Sequence, residues 1–306
     1  MGSRHPFPEK KNNYQRSLEF FENLLRQNSP CRLSDEYPLV FHSEAQDQIH
    51  LIEEKNVLKA GLATLEREIE VQPDRFARAL FVGSVVTHPD FRNQGYQKTL
   101  FEQLEWRAKQ QEIDFLILWS NQVEFYERLG FSLAGLQASW MLTSQVSLRS
   151  SGISVQLQDS SRNVWSDSFF EQFDRKRFRV KRTKEEMQKL FCIPQMLIAS
   201  TSNAYAIVGK GEDFHGVCHE WAGPAKEVVA CFAKLQENLK SVRILSPGVL
   251  HDSTEVEVTT ALEEAGIENR LEYLGLMKAL NPRYKMEDLQ PENLRYPFFI
   301  WGLDSI

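Results

Sequence analysis

Residues 79–131 read ALFVGSVVTHPDFRNQGYQKTLFEQLEWRAKQQEIDFLILWSNQVEFYERLGF, and this stretch decides the fold. An apolar run ends at Val85-Val86-Thr87, a Pro-containing turn follows, and Arg92-Asn93-Gln94-Gly95-Tyr96-Gln97-Lys98 opens a helix. Tyr96, Leu100, Leu104 and Ala108 recur at three- and four-residue steps, so one face of that helix can pack on a sheet. A second apolar strand over residues 115–119 leads into a short helix that stops at Gly130, where a residue without Cβ can turn left-handed. A strand that feeds a helix N-terminus lines up free backbone N–H groups, a natural seat for a phosphate or pyrophosphate.

Upstream, residues 17–27 place Leu18, Phe21, Leu24 and Leu25 at helical spacing, and residues 37–41 form a short apolar run expected as a strand. Residues 48–53 and 57–67 flank the polar turn Glu54-Lys55-Asn56 and predict a hairpin, with Gly61 marking a bulge and residues 71–75 a loop. Residues 131–142 supply a closing strand or two. The order helix, hairpin, strand, helix, strand, helix, strand predicts a mixed α/β layer with a right-handed crossover around the first long helix.

Residues 143–152 are Ser-rich and polar, the linker of the chain, and beyond them the apolar pattern restarts. Residues 153–157 alternate as a half-buried strand. Residues 204–208 and 217–221 predict a hairpin, residues 225–239 an amphipathic helix and residues 242–245 a strand. Thr254 with Glu257 suggests a capping box for a helix closed by Gly266, and residues 271–280 and 297–303 finish as strands. The element order of the first half therefore repeats in the second. Where the first half has the loop from Arg92 to Gln97, the second offers Trp221-Ala222-Gly223-Pro224-Ala225-Lys226, and Pro224 removes a donor N–H.

At 306 residues the chain has room for two domains, and its 42% hydrophobic and 25% charged fractions are those of a globular protein. A net charge of −6 argues against a nucleic-acid partner and mildly favours a cationic acceptor. No stretch is apolar for long enough to span a bilayer, and the start MGSRHPFPEK lacks the apolar core of a secretory signal, so a cytoplasmic location is expected. Cys31, Cys192, Cys218 and Cys231 show no CxxC spacing, which fits reduced thiols better than disulfides or a zinc site.

The stretch Thr87-His88-Pro89-Asp90-Phe91-Arg92-Asn93-Gln94-Gly95-Tyr96-Gln97 resembles the acyl-CoA signature of the GCN5-related N-acetyltransferase (GNAT) family, Arg/Gln-x-x-Gly-x-Gly/Ala after a strand. It fits at Pro89, Arg92 and Gly95 and departs at Gln97, where the family prefers Gly or Ala and where a Gln side chain must turn away from the pyrophosphate. Phe125-Tyr126-Glu127-Arg128-Leu129-Gly130-Phe131 is similar to the family's second signature. Each motif alone is weak; the two in this order and spacing are specific. The resemblance implies two GNAT-like domains in tandem. Residues 1–145 would hold the acyl-CoA site, residues 146–152 would link, and residues 153–306 would be a degenerate copy that shapes the acceptor pocket.

It further implies acetyl-CoA as acyl donor, an amine of a small molecule or peptide as acceptor, and no metal. Backbone groups of Val85, Val86 and Thr87 would pair with the pantetheine arm. Arg92, Asn93, Gln94, Gly95, Tyr96, Gln97 and Lys98 would hold the pyrophosphate at the helix start, and Tyr126 would protonate the departing thiolate. A phenol of ordinary pKa, about 10, keeps its proton at neutral pH. Neither flanking strand, ALFVGSVVT or FLILWS, carries a carboxylate, so the base stays open among His88, Glu124, Asp304, a terminal carboxylate at Ile306, or a water chain. The alternative is a non-catalytic acyl-CoA-binding or regulatory module; a docking module using the basic run 175–184 ranks behind, since such a run is more often a solvated face or loop. His215, Cys218, His219 and Glu220 do not converge on a strand, so a metal is disfavoured and an acceptor-pocket role for His219 or Glu220 is the sharper expectation. Trp119 is expected beside the acyl site, with Trp140, Trp221 and Trp301 as packing residues.

Overall fold

The computed structural model describes residues 10–146, 148, 152–162 and 164–306, so most of the expected linker lies outside the described residues. Helix α1 (Lys10–Leu25) buries Leu18 and Phe21, and the single turn α2 (Leu33–Glu36) follows. Residues 37–41 are not the expected strand. The amides of Val40 and Phe41 both bond the Tyr37 carbonyl at 2.9 Å, and Leu39, Val40 and Phe41 are all buried, where a strand would alternate. Strands β1 (Ile49–Glu54), β2 (Val57–Gln72) and β3 (Arg75–Thr87) form an antiparallel meander, so the expected loop at 71–75 is only the tight turn at Pro73-Asp74. Helix α3 (Tyr96–Gln110) crosses to β4 (Phe115–Leu118), which runs parallel to β3, and then come α4 (Val123–Glu127), β5 (Ser132–Ala134) and β6 (Gln137–Thr143).

After β7 (Gln156–Asp159) the chain forms α5 (Asp167–Asp174) and α6 (Lys184–Leu190). The second meander is β8 (Leu197–Ser200), β9 (Tyr205–Lys210) and β10 (Asp213–Ala222). Helix α7 (Ala225–Asn238) leads to β11 (Ser241–Pro247), then α8 (Ser253–Glu264), β12 (Asn269–Glu272) and β13 (Gly275–Ala279). The cap of α8 is Asp252, whose carboxylate accepts the Glu255 amide at 2.8 Å, rather than Thr254. Residues 271–280 are two strands broken at Tyr273-Leu274, and residues 297–303 are extended without joining a ladder before a 3₁₀ turn at Gly302–Asp304.

Two mixed sheets result, ordered β1-β2-β3-β4-β13-β5 and β12-β6-β11-β10-β9-β8-β7. Read from the other end, the second sheet repeats the first: β8, β9, β10, β11, β6 and β12 take the places of β1, β2, β3, β4, β13 and β5. In each sheet the single parallel pair flanks the long helix, β3 with β4 and β10 with β11. The chain is thus two GNAT-like copies in tandem. Each copy takes the strand beside its parallel pair from the other, β13 from the end of the chain and β6 from before the linker.

One apolar cluster runs through both copies, including Phe81, Phe115, Trp140, Tyr205, Trp221 and Trp301, while a smaller one lies under α3 and α4. All four residues of β4 are buried, as expected for a strand covered on both faces. The basic run 175–184 is not a solvated face. Lys176, Arg179 and Arg182 are buried, and residues 179–181 pair with β2 through Glu70 N–H to Arg179 O (3.0 Å) and Lys181 N–H to Glu68 O (2.8 Å). The run is a strap that ties the second copy to the first sheet.

Candidate active site

Strands β3 and β4 pair only from Ala79–Phe81 against Phe115–Ile117, and then part. The parting follows from β3 itself. Its register against β2 shifts between Gly61 and Ala63, and Ser84 sits at φ 50°, a bulge that bends the strand away. The opening is a cleft of about 530 Å³ walled by Val85, Val86 and Thr87 of β3, Arg92, Asn93 and Gln97 at the start of α3, Gln122, Phe125 and Tyr126 at α4, and Leu24 and Leu25 of α1.

Gly95 caps α3 at φ 83°, a left-handed conformation that a residue with Cβ rarely adopts. A Cβ there would meet no atom within 4 Å, so the glycine answers to backbone conformation and not to crowding. The first bond of the helix runs from Thr99 N–H to Gly95 O (3.1 Å), which leaves the N–H groups of Tyr96, Gln97 and Lys98 without intrahelical acceptors. Of the residues expected at the cofactor, Val85, Val86, Thr87, Arg92, Asn93 and Gln97 meet in the cleft wall. The other side chains point elsewhere: Gln94 Nε2 to Asp90 O (3.3 Å), Tyr96 O–H to Glu54 (3.1 Å), and Lys98 toward Glu102 (3.8 Å). Gln97 turns inward to β3, its Nε2 donating to Val86 O at 2.7 Å and Thr87 Oγ1 at 2.9 Å.

Tyr126 is held by α4, which closes on Gly130 at φ 84° with Phe131 N–H returning to Tyr126 O at 3.1 Å. Its ring packs edge-on against Phe101 (5.8 Å), Phe125 (5.0 Å) and Phe131 (5.9 Å). Burial pushes its phenol up to about 12, against a smaller lowering by a hydrogen bond with Ser120, so its proton is held more tightly than the ordinary value of 10 suggested. Trp119 lies edge-on to Phe81 at 5.6 Å and donates its indole N–H to Leu274 O at 2.9 Å, tying the end of β4 to the chain entering β13.

Sequence reasoning missed the part played by the last residues. Arg182 is fully buried and bonds Glu220 twice at 2.7 Å and Asp304 at 2.9 and 2.8 Å. Lys210, also buried, donates to the carbonyls of Gly302 (3.1 Å), Leu303 (3.2 Å) and Ser305, and burial brings it down to about 8. Held by these two cations, the chain crosses from β10 to β3. A Cβ on Gly302 would overlap the His219 ring, and a Cβ on Gly83 would overlap the main-chain carbonyl of Ile306. Two glycines thus give the crossing segment its path, and Ile306 rests on β3 one residue before the bulge. Asp304 is committed to Arg182, and Glu124 is exposed on α4. His88 accepts the Asp90 amide at 3.4 Å and stacks near Phe91. Nor do His219 and Glu220 reach the cleft: His219 Nε2 meets Gly209 O at 2.9 Å, and Glu220 also accepts the Tyr205 hydroxyl at 3.0 Å.

Residues 10–134 match the family model described as an acetyltransferase (GNAT) domain. This part of the chain is similar to the GCN5-related N-acetyltransferases. Solved structures similar in fold over nearly the whole chain include a GCN5-related N-acetyltransferase from Anabaena variabilis, 15% identical, covering 89% of this chain and 71% of that one at a TM-score of 0.63. A probable N-acyltransferase from Enterococcus faecalis is 11% identical, covers 88% and 71%, and gives 0.61. Eis1 from Mycobacterium abscessus is 11% identical, covers 91% and 74%, and gives 0.58. No curated protein matches the chain. The match to the GNAT domain model supports acyl-CoA N-acyltransferase activity in general terms, and the solved structures show a shared fold. Among the described residues no helix is long and apolar enough to cross a membrane.

Proposed function

We propose that the chain transfers an acetyl group from acetyl-CoA to an amine of a small molecule or peptide, by direct attack, in the cleft between β3 and β4. The observation that carries this is the cleft itself, with free N–H groups of α3 at its mouth and Tyr126 in its wall. The pyrophosphate sits on the amides of residues 93–98, with Arg92 beside it, where the positive end of the helix favours an anion. The pantetheine arm runs along Val85, Val86 and Thr87 like an added strand, which carries the thioester toward the bulge at Ser84.

The neutral amine attacks the thioester carbonyl, the oxyanion is stabilised by strand amides, and the C–S bond breaks. With a pKa near 12, Tyr126 stays protonated throughout the neutral range. Full transfer of its proton to a thiolate, whose thiol is ordinarily near 8.5, is uphill. The hydroxyl therefore acts through a hydrogen bond that tightens as charge grows on sulfur, and the proton lost by the amine balances the thiolate. Asp304 is locked in an ion pair with Arg182 and is not free to act as the base, which leaves His88, Glu124, a terminal carboxylate or a water chain for that role. The second copy, through the strap and the crossing segment, shapes the acceptor side and carries no phosphate loop of its own.

Calorimetry with acetyl-CoA followed by a free-thiol assay over a panel of amines tests binding and turnover separately. Binding with thiol release is expected, and no binding would sink the proposal. The position of Gln97 in the groove favours a second reading, a binding or regulatory module, and binding without thiol release for any amine would support it.

A further inference from the structure

The side chain of Gln97 occupies space that the reaction needs. It leaves the first turn of α3, crosses the mouth of the cleft, and places its carboxamide on Val86 and Thr87, the strand along which the acyl donor's arm is proposed to run. The orientation of the amide is fixed by its partner. Val86 O can only accept, so the nitrogen must face it and the oxygen must point away. That oxygen, Gln97 Oε1, is shut off from solvent and has no hydrogen-bond partner. Two neutral hydrogen bonds hold the carboxamide down, and one orphaned buried acceptor works against them, and these effects are of similar size. The inward rotamer is therefore only lightly held. Outward, the start of α3 is exposed at Gln94 and Lys98, so the side chain has water to move into.

We infer that Gln97 is a gate on the pantetheine groove, closed on Val86 and Thr87 in the free protein and displaced when an acyl-CoA arm enters. The inference rests on the acyl-CoA reading of the cleft. Small residues at this place leave the groove open, whereas here the ligand must first lift a side chain from the strand. When it does, Val86 O and Thr87 Oγ1 are freed for other donors and Oε1 reaches water. Affinity is set by how often the outward rotamer is populated, since an apparent dissociation constant rises in proportion as the competent state becomes rarer. The gate acts on the arm and not on the nucleotide, because the pyrophosphate contacts are main-chain groups that do not involve the carboxamide.

The test is calorimetry on the parent and Gln97→Ala with two ligands, CoA and adenosine 3′-phosphate 5′-diphosphate, which has the diphosphate but no pantetheine arm. Ala is a good helix former, so α3 should persist. CoA should bind the variant about 10-fold tighter, the gain expected if the groove is open about one time in ten, while the armless ligand should bind both proteins equally. A parent that binds CoA as tightly as the variant, or more tightly, overturns the gate and leaves the acyl-CoA reading standing. Equal tightening for both ligands also overturns it, because the effect would then lie at the phosphate loop. If neither protein binds either ligand, the acyl-CoA reading falls and the gate falls with it.

Discussion

The two copies share a strand order and differ in what happens where the parallel strands part. In the first, β3 and β4 diverge around an open cleft. In the second, the space beyond the paired Val217-Cys218 and Arg243-Ile244 is closed by Trp221. Its indole N–H donates to Leu245 O on β11 at 2.9 Å, and its ring meets Phe232 and Trp301 edge-on at 6.0 and 5.2 Å. The connections differ as well. Residues 88–95 link β3 to α3 and end on a left-handed glycine, whereas only Gly223 and Pro224 link β10 to α7, and the capping proline has no N–H to offer. One topology therefore yields a site or a solid wedge according to one aromatic side chain and the length of one loop. The sealed copy then serves as a platform, since Lys176 lies 4.2 Å over both Trp221 and Trp301 and Arg182 holds the last residues in place.

The comparison breaks most visibly at the wedge. Trp221→Ala should cost about 3–5 kcal/mol, the range for emptying a buried aromatic site, read as a lower midpoint in denaturant. It should not create a second cofactor site, because the loop is still absent, so calorimetry should report the same single equivalent of CoA. Two equivalents would show that the indole alone separates the copies. Gly95→Glu acts on the other side of the comparison. No protein atom crowds a Cβ at Gly95, so the fold should survive the strain of its φ, while the new carboxylate faces the pyrophosphate seat. CoA binding should weaken by about 100-fold or more, about 2.7 kcal/mol at 1.36 kcal/mol per tenfold. Unchanged affinity would mean that the anion sits somewhere else.

Much of the first copy was legible because its signals are local. The periodicity of α3, the glycine at its cap and the Tyr126 motif all lie within residues 79–131, and each fixes its own backbone. The second copy's hairpin at β9 and β10 and its long helix were legible for the same reason, while the strand β8 before them was not read. What escaped was every pairing between distant segments. A strand at 275–279 gives no sign in its residues that it enters the first sheet, because Leu276 opposite Leu118 looks like any apolar pair. The run 175–184 reads as solvated until Glu220, Glu255 and Asp304 are brought to it from far along the chain. Gln97 was legible as a departure, but its destination on Val86 depends on how close α3 lies to β3. The sites of greatest chemical interest are those where long-range packing overrides local pattern.

Tyr126→Phe sharpens the claim that the open copy is catalytic as well as able to bind. Turnover should fall about 100-fold, the low end for losing one positioned hydrogen-bond donor to charge that develops in the transition state, with CoA affinity within about twofold of the parent. Equal turnover would remove Tyr126 from the chemistry. Because burial holds the phenol near 12, the rate of the parent should show no decline with pH attributable to this group below about pH 11. A decline centred near 10 would put the hydroxyl in water.

The smallest expected effect compares one histidine in each copy, His219 fully buried and His50 partly buried. His219, in the wedge, donates from Nε2 to Gly209 O, and its Nδ1 is buried with no partner against Gly302. A second proton would need an acceptor where none exists, and burial lowers the group to about 3. His50, between Thr64 (3.0 Å) and Arg107 (3.3 Å), is lowered to about 4 by burial and by the arginine's charge. Unfolded, both would titrate near 6.5, so between 6.5 and the folded values the unfolded chain binds more protons. Stability must then fall as pH falls through that window. At pH 5 each histidine should account for about 2 kcal/mol of loss relative to neutral pH. Denaturant melts from pH 7 to pH 3 should therefore show a shallower slope for His219→Gln than for the parent. They should also show the same relief for His50→Gln down to pH 5, with only His219 still contributing below pH 4. A slope unchanged in His219→Gln would mean that this ring already reaches water, and that the second copy is less completely sealed than its packing indicates.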